Sequence, residues 1–122
     1  EGQNPLYLPQ AKVYDCCCAL GPFVRLATGQ FDPLDQAVRC VVYRRGESVF
    51  SGETHTSRIH RSLPELVSYL GRCNSFPAGL FALTGTGIVP PDTFTLAKGD
   101  LIEITIEGLG TLRNPVIELP VK

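Results

Sequence analysis

The stretch "LTGTGIVPP", Leu83 to Pro91, sets a small hydroxyl at Thr84 beside a glycine at Gly85 and ends on two prolines. A hydroxyl together with backbone N–H groups freed by a glycine turn makes a concavity suited to a carboxylate or a phosphate. The apolar run before it reads as a buried strand, so Thr84 and Gly85 stand at a strand end. Two glycine pairs occur, Gly85 with Gly87 and Gly108 with Gly110, and the second reads as a hairpin turn. Neither pair opens a helix, and Pro90 and Pro91 block the continuation that would seat a pyrophosphate at a helix N-terminus, so dinucleotide chemistry is not indicated.

Lys12 lies between apolar neighbours in "QAKVY". Two readings stand side by side. Either the ammonium is partly buried and faces an anion, or the stem snorkels out at a strand edge. Cys16, Cys17 and Cys18 are consecutive, whereas structural zinc sites space their thiols by two to four residues, and they read as small buried hydrophobes in a strand. His55 and His60 fall in the polar stretch "GETHTSRIHR" without a spaced partner and read as surface residues. The twelve acidic residues contain no Glu-x-Glu pair, and Asp32 with Asp35 in a loop is the nearest approach to a cluster. No cage for a hard cation is visible.

Several elements have to position these residues. "EGQNPLYLPQ" is a proline-stiffened loop leading into a strand over "AKVYDCCCAL". In "QAVRCVVYRRGESVFSG", Val38, Cys40 and Val42 share one parity, and Arg45-Gly46 separates two strands of a hairpin. "SLPELVSYLGRC" predicts a helix with Ser62 as N-cap, Glu65 completing a capping box and Pro64 in the first turn. Leu63, Leu66, Val67 and Leu70 give it an apolar face to pack on a sheet, and Gly71 helps end it. In "DLIEITIEGLGTLRNPV" Ile102, Ile104 and Ile106 alternate with Glu103, Thr105 and Glu107, which predicts a half-buried strand turning at Gly108 to Gly110 into its partner. Several strands to one helix give a mainly β or α+β domain on antiparallel pairs.

The 122 residues are 43% hydrophobic with a formal net charge of -1, enough for a single domain over residues 1–122 with a core. That balance offers no basic footprint for nucleic acid, and no apolar run is long enough to span a membrane as a helix. An odd count of five cysteines, three of them adjacent, fits a reducing, cytoplasmic setting. The opening residues have neither an initiating Met nor signal-peptide features, so the sequence reads as a piece of something longer.

Taken together, "LPQAKVYDCCCALGP", "LTGTGIVPP" and "LAKGDLIEITIEGLGTLRNPV", in this order, resemble the fumarylacetoacetate hydrolase family of magnesium-dependent enzymes acting on 2-oxo acids. The resemblance covers nearly the whole chain. "NPLYLPQAKVYD" and "TGTGIVPP" look most like the branch that dehydrates 2-keto-3-deoxy sugar acids such as the arabinonate. It implies a mixed β-sheet roll with one main helix, the C-terminal part of that family's catalytic domain, and a homodimer or higher homo-oligomer acting on a small 2-oxo acid.

The same resemblance implies roles for individual residues. Lys12 matches the family lysine near metal and substrate, Thr84 with Gly85 matches the turn that binds the substrate carboxylate, and Glu1 falls just after the family's metal aspartate, toward the pocket. Cys16 stands where some members carry a Thr near the metal, and a soft sulfur is a poor magnesium ligand, so that role does not carry over. The family's Mg2+ is held by a Glu-x-Glu pair and an Asp that precede the segment resembling "EGQNPLYLPQ". The ligands are therefore expected upstream, in the N-terminal part of the same protein. The implied activity of the parent is dehydration, with loss of the C3 proton and the C4 hydroxyl. Carbon–carbon hydrolysis of an acylpyruvate is the alternative, and a non-catalytic fragment or interaction domain is a third reading.

Overall fold

A computed structural model describes residues 13–120; Glu1 and Lys12 lie outside the described residues. Four strands form one antiparallel sheet: β1 (Ala37–Arg44), β2 (Glu47–His55), β3 (Leu101–Ile106) and β4 (Gly110–Pro115), in the order β2-β1-β3-β4. One α-helix, α1 (Leu63–Leu70), and a 3-10 turn (Thr56–Arg58) lie between β2 and β3.

Both hairpins follow from local chemistry. Arg45 and Gly46 take φ of 54° and 87°, the paired positive values of a two-residue turn whose twist matches the strands it joins. Val42 pairs with Phe50 while Tyr43 pairs with Ser48, so Val49 is an extra residue that bends β2. At the other end Ile106 pairs with Gly110, Leu109 N–H donates to Ile106 O at 3.0 Å, and Gly108 and Gly110 adopt φ of 74° and 104°. Glycine accepts those angles without a Cβ penalty.

Register sets the faces. Val38, Cys40 and Val42 pair across with Ile106, Ile104 and Ile102, so one side of the central strands is apolar, in keeping with the alternation in the sequence. The other side carries an ion pair of Arg113 with Glu103 at 2.7 Å, a looser one of Arg39 with Glu53 at 3.5 Å, and a Thr105–Thr111 hydroxyl pair at 2.8 Å. Val41 and Val42 are the buried apolar residues among those described. Both lie on β1, which pairs with β2 on one side and β3 on the other.

Three expectations need correction. No strand forms over Val13–Leu20; instead Cys17 N–H donates to Tyr14 O at 3.2 Å, Cys16 adopts φ of 59°, and all three cysteines are exposed rather than buried. A left-handed residue and a closed turn are incompatible with an extended ladder. The run before Thr84 is likewise not a buried strand, since Phe81 and Leu83 are 64% and 74% exposed and no ladder reaches them. Finally, α1 does not pack broadly on the sheet: Leu63, Leu66 and Leu70 are half-buried but Val67 is exposed, and the extensive contacts between elements are those of neighbouring strands.

The helix termini are as the sequence predicts. Ser62 Oγ accepts from Glu65 N–H at 3.3 Å, Pro64 occupies the first turn, and Gly71 caps the end with its N–H on Val67 O at 3.1 Å. Ser62→Ala is expected to cost about 1 kcal/mol, the usual loss for an N-cap, read as a lower denaturant midpoint with ligand affinity unchanged.

Candidate functional site

The Thr84–Ile88 turn runs over the end of β2. Gly85 takes φ of 92°, with open space where a side chain would stand. Thr86 Oγ1 accepts from Ile88 N–H at 3.0 Å, a side-chain turn that fixes the following residue. Gly87 then lies directly on Thr54, and Ile88 lies on Gly52. A Cβ built on Gly87 would stand 2.6 Å from Thr54 Oγ1, and one built on Gly52 would stand 2.5 Å from Ile88 Cγ2. The segment continues over the apolar face, where Phe94 meets Phe50 with ring centroids 5.3 Å apart.

Its far end is tied down by a buried charge. Asp100 is fully buried just before β3. Arg44 Nε donates to Asp100 Oδ1 and Arg44 Nη2 to Oδ2, each at 2.8 Å, while Ala97 N–H donates to Oδ2 at 2.8 Å. Arg44 Nη2 also reaches Thr95 O at 2.9 Å, so a single guanidinium joins the end of β1 to the segment that descends from the Thr84 turn. The Arg44 hydrogen bonds first, and the Ala97 amide second, hold the Asp100 carboxyl down to about 2 from an ordinary 3.8.

Two clefts open at the end of the sheet where β2 and β3 finish. One, of about 500 Å³, is lined by Arg25, Phe31, Asp35, Gln36, His55 and Glu107. Arg25 stacks over Phe31 at 4.1 Å and donates to Gly108 O at 2.8 Å. His55 Nε2 lies 3.4 Å from Asp35 Oδ1, and its Nδ1 is 2.8 Å from Ser57 Oγ and accepts from Ser57 N–H. His55 is thus the cap of the 3-10 turn rather than an isolated surface residue, while His60 is exposed as expected. The other cleft, of about 380 Å³, is walled by Val38, Arg39, Glu53, Thr54 and Thr105 and lies beside the residue under Gly87. Among the described residues there is no group of three or more His, Cys, Asp or Glu side chains placed to hold a metal ion.

Of the residues singled out by sequence, Thr84 and Gly85 stand together on the exposed turn. Lys12 and Glu1 lie outside the described residues. Sequence reasoning missed Gly52 and Thr54, and it read Gly87 only as half of a glycine pair. A signal existed: Gly52 interrupts a strand at the parity of Phe50 and Thr54, and a glycine inside a strand often marks a close approach of another backbone.

The chain belongs to the fumarylacetoacetate hydrolase family: residues 2–117 match the C-terminal model of that family. It is 49% identical over 116 residues to a probable 2-keto-3-deoxyxylonate dehydratase of Haloferax volcanii, covering 95% of this chain and 40% of that protein. It is 40% identical over 116 residues to a 2-dehydro-3-deoxy-D-arabinonate dehydratase of Saccharolobus solfataricus, covering 95% of this chain and 39% of that protein. Among solved structures it resembles a 2-keto-3-deoxy-D-arabinonate dehydratase complexed with magnesium and 2,5-dioxopentanoate, with a TM-score of 0.89 at 39% identity over 93% of this chain and 41% of the other. The chain spans about 40% of the length of the relatives it matches.

Proposed function

We propose that this chain is the C-terminal part of a longer magnesium-dependent enzyme that dehydrates a 2-keto-3-deoxy sugar acid. The observation that carries the reading is the Thr84–Gly85 turn, exposed and yet anchored on β2, in a chain whose relatives at 49% and 40% identity are both named as dehydratases of such acids. Elimination of water takes a proton from C3 and the hydroxyl from C4, and negative charge builds on the 2-oxo group as the C3 proton leaves. The Thr84 hydroxyl and the free amides of its turn hold the substrate carboxylate, which orients C3 and C4 relative to the rest of the site. Lys12 contributes positive charge near the 2-oxo group, and Glu1 is a further candidate for substrate binding. The ligands for magnesium are expected upstream of this chain, and the bound ion would supply charge that makes a C3 proton acidic.

The exposed apolar residues support the same division. Val13, Phe23, Leu83 and Val89 are 77%, 69%, 74% and 76% exposed, and Val67 and Tyr69 of α1 are also uncovered. In the longer enzyme the N-terminal part, and a second copy in a homo-oligomer, cover these faces. No helix among the described residues is long and apolar enough to cross a membrane. Cysteine usage supports a reducing, cytoplasmic setting.

The test compares two proteins. The 122-residue chain alone is expected to bind magnesium weakly or not at all in a calorimetric titration and to release no water from any sugar acid. The full-length protein is expected to dehydrate 2-keto-3-deoxy sugar acids only with magnesium present. A tight, stoichiometric site on the chain alone contradicts the assignment of the ligands, and turnover of acylpyruvates in place of sugar acids contradicts the dehydratase.

A further inference from the structure

The Thr84 turn is held at its height over β2 by two glycines that their backbone angles do not require. Gly85 has φ of 92° with nothing within 4 Å, so its glycine serves conformation. Gly52 and Gly87 are the reverse. Neither lies in the left-handed region, yet a Cβ on Gly87 would stand 2.6 Å from Thr54 Oγ1 and one on Gly52 2.5 Å from Ile88 Cγ2. They are glycine because two segments touch there.

Thr54 is the surface against which this fit is made. Its Oγ1 is buried without a hydrogen-bond partner among the described residues, so it does not hold the turn by a bond. Retaining an unpaired buried hydroxyl has a cost. Its Cβ and Cγ2 would stand 3.4 and 3.7 Å from the same Gly87 Cβ, so the whole side chain forms the floor under the glycine. A strand Thr is stiff at χ1, and of its other two rotamers one puts Cγ2 in place of Oγ1, so relief by rotation is restricted to the single rotamer that turns Hβ toward Gly87.

We infer that Gly52, Thr54 and Gly87 are positioning residues: a steric lock between β2 and the Thr84–Ile88 turn that sets where the carboxylate-binding groups stand. This rests on the reading that the turn takes the substrate carboxylate. Ordinary contact begins near 3.4 Å, so an added Cβ at 2.6 Å lifts the turn by about 0.8 Å if β2 stays in place. β2 is fixed by its ladder with β1, whereas the turn is exposed, so it is the turn that moves. A displacement of about 1 Å can cost as much as about 100-fold in rate.

A double-mutant cycle in the full-length enzyme with magnesium tests the lock, using KM for a 2-keto-3-deoxy sugar acid. Gly87→Ala is expected to raise KM about tenfold or more with a smaller change in kcat. Adding Thr54→Ala, which removes the floor, is expected to bring KM back to within about threefold of the Thr54→Ala protein, a coupling that independent sites do not show. An unchanged KM in Gly87→Ala, or effects that simply multiply in the double variant, overturns the lock. Should Gly87→Ala fail to fold, the cycle of Gly52→Ala with Ile88→Ala reads the neighbouring contact between the same two segments and is judged by the same two outcomes. Thr84→Ala runs in parallel. An unchanged KM there defeats the carboxylate reading, whereas a raised KM without coupling in the cycle defeats the lock alone.

Discussion

Arg44→Ala is expected to be among the most destabilising single substitutions in the sheet, lowering the melting midpoint by roughly 10 °C or more. The reason is an asymmetry within the pair. Asp100 is fully buried, whereas the Arg44 side chain is 39% exposed. Losing Arg44 leaves a buried carboxylate with the Ala97 amide as its remaining hydrogen-bond donor. Losing Asp100 leaves a guanidinium that can turn to water. Asp100→Ala should therefore be milder than Arg44→Ala, whereas equal sharing of the pair would make the two variants alike.

Acid should expose the same pair. The folded carboxyl titrates at about 2 against 3.8 for an ordinary aspartate, so the unfolded chain takes up this proton first as pH falls. The stabilisation is complete above about pH 4 and is lost as pH drops through about 2. Thermal melts from pH 6 down to pH 2 should show the wild type converging on Asp100→Asn, whose own midpoint changes less over that window. Parallel curves would remove Asp100 from the acid response. Because Arg44 also holds Thr95, its loss should loosen the segment leading from the Thr84 turn and raise KM as well.

What was legible in the sequence was what short-range chemistry determines. The hairpin at Arg45-Gly46 and the one at Gly108 to Gly110 are set by residues within a few positions of one another, and the alternation of Ile102, Ile104 and Ile106 declares its own face. The helix declares itself through Ser62 and Gly71. What failed was burial. Strands were expected over the cysteine triplet and before Thr84 because those runs are apolar, but an apolar run needs a covering surface, and four strands and one short helix do not supply it. The chain spans about 40% of the length of the relatives it matches.

The candidate site shows the same division. Thr84 and Gly85 were legible because a glycine turn with hydroxyls is a local pattern. The Arg44–Asp100 pair joins residues 56 apart in sequence, and Gly87 meets Thr54 from a different segment, so neither contact has a local cue. Gly52 offered half of one. A glycine on the apolar parity of a strand says that something comes close, and only the fold says that it is the Thr84 turn.

In the full-length enzyme, Lys12→Ala and Thr84→Ala are expected to fall on different kinetic constants, because the two residues are proposed to act at different moments. Lys12 is assigned to charge that develops on the 2-oxo group only as the C3 proton leaves. Its loss should lower kcat by about 100-fold or more, with KM nearly kept, as for other groups that stabilise transition-state charge. Thr84 is assigned to a carboxylate whose charge is the same before and during the reaction, so its contribution should be shared by ground and transition states. Removing such an interaction raises KM and leaves kcat close to wild type. Lys12→Arg sharpens the test, since it keeps the charge but changes its shape. Partial recovery of kcat would point to electrostatics, and none would point to proton transfer or to a fit that only an ammonium makes. Steady-state kinetics on 2-keto-3-deoxy sugar acids read all three variants. Wild-type constants in both alanine variants would take Lys12 and Thr84 out of the site and leave the family and the fold standing without them.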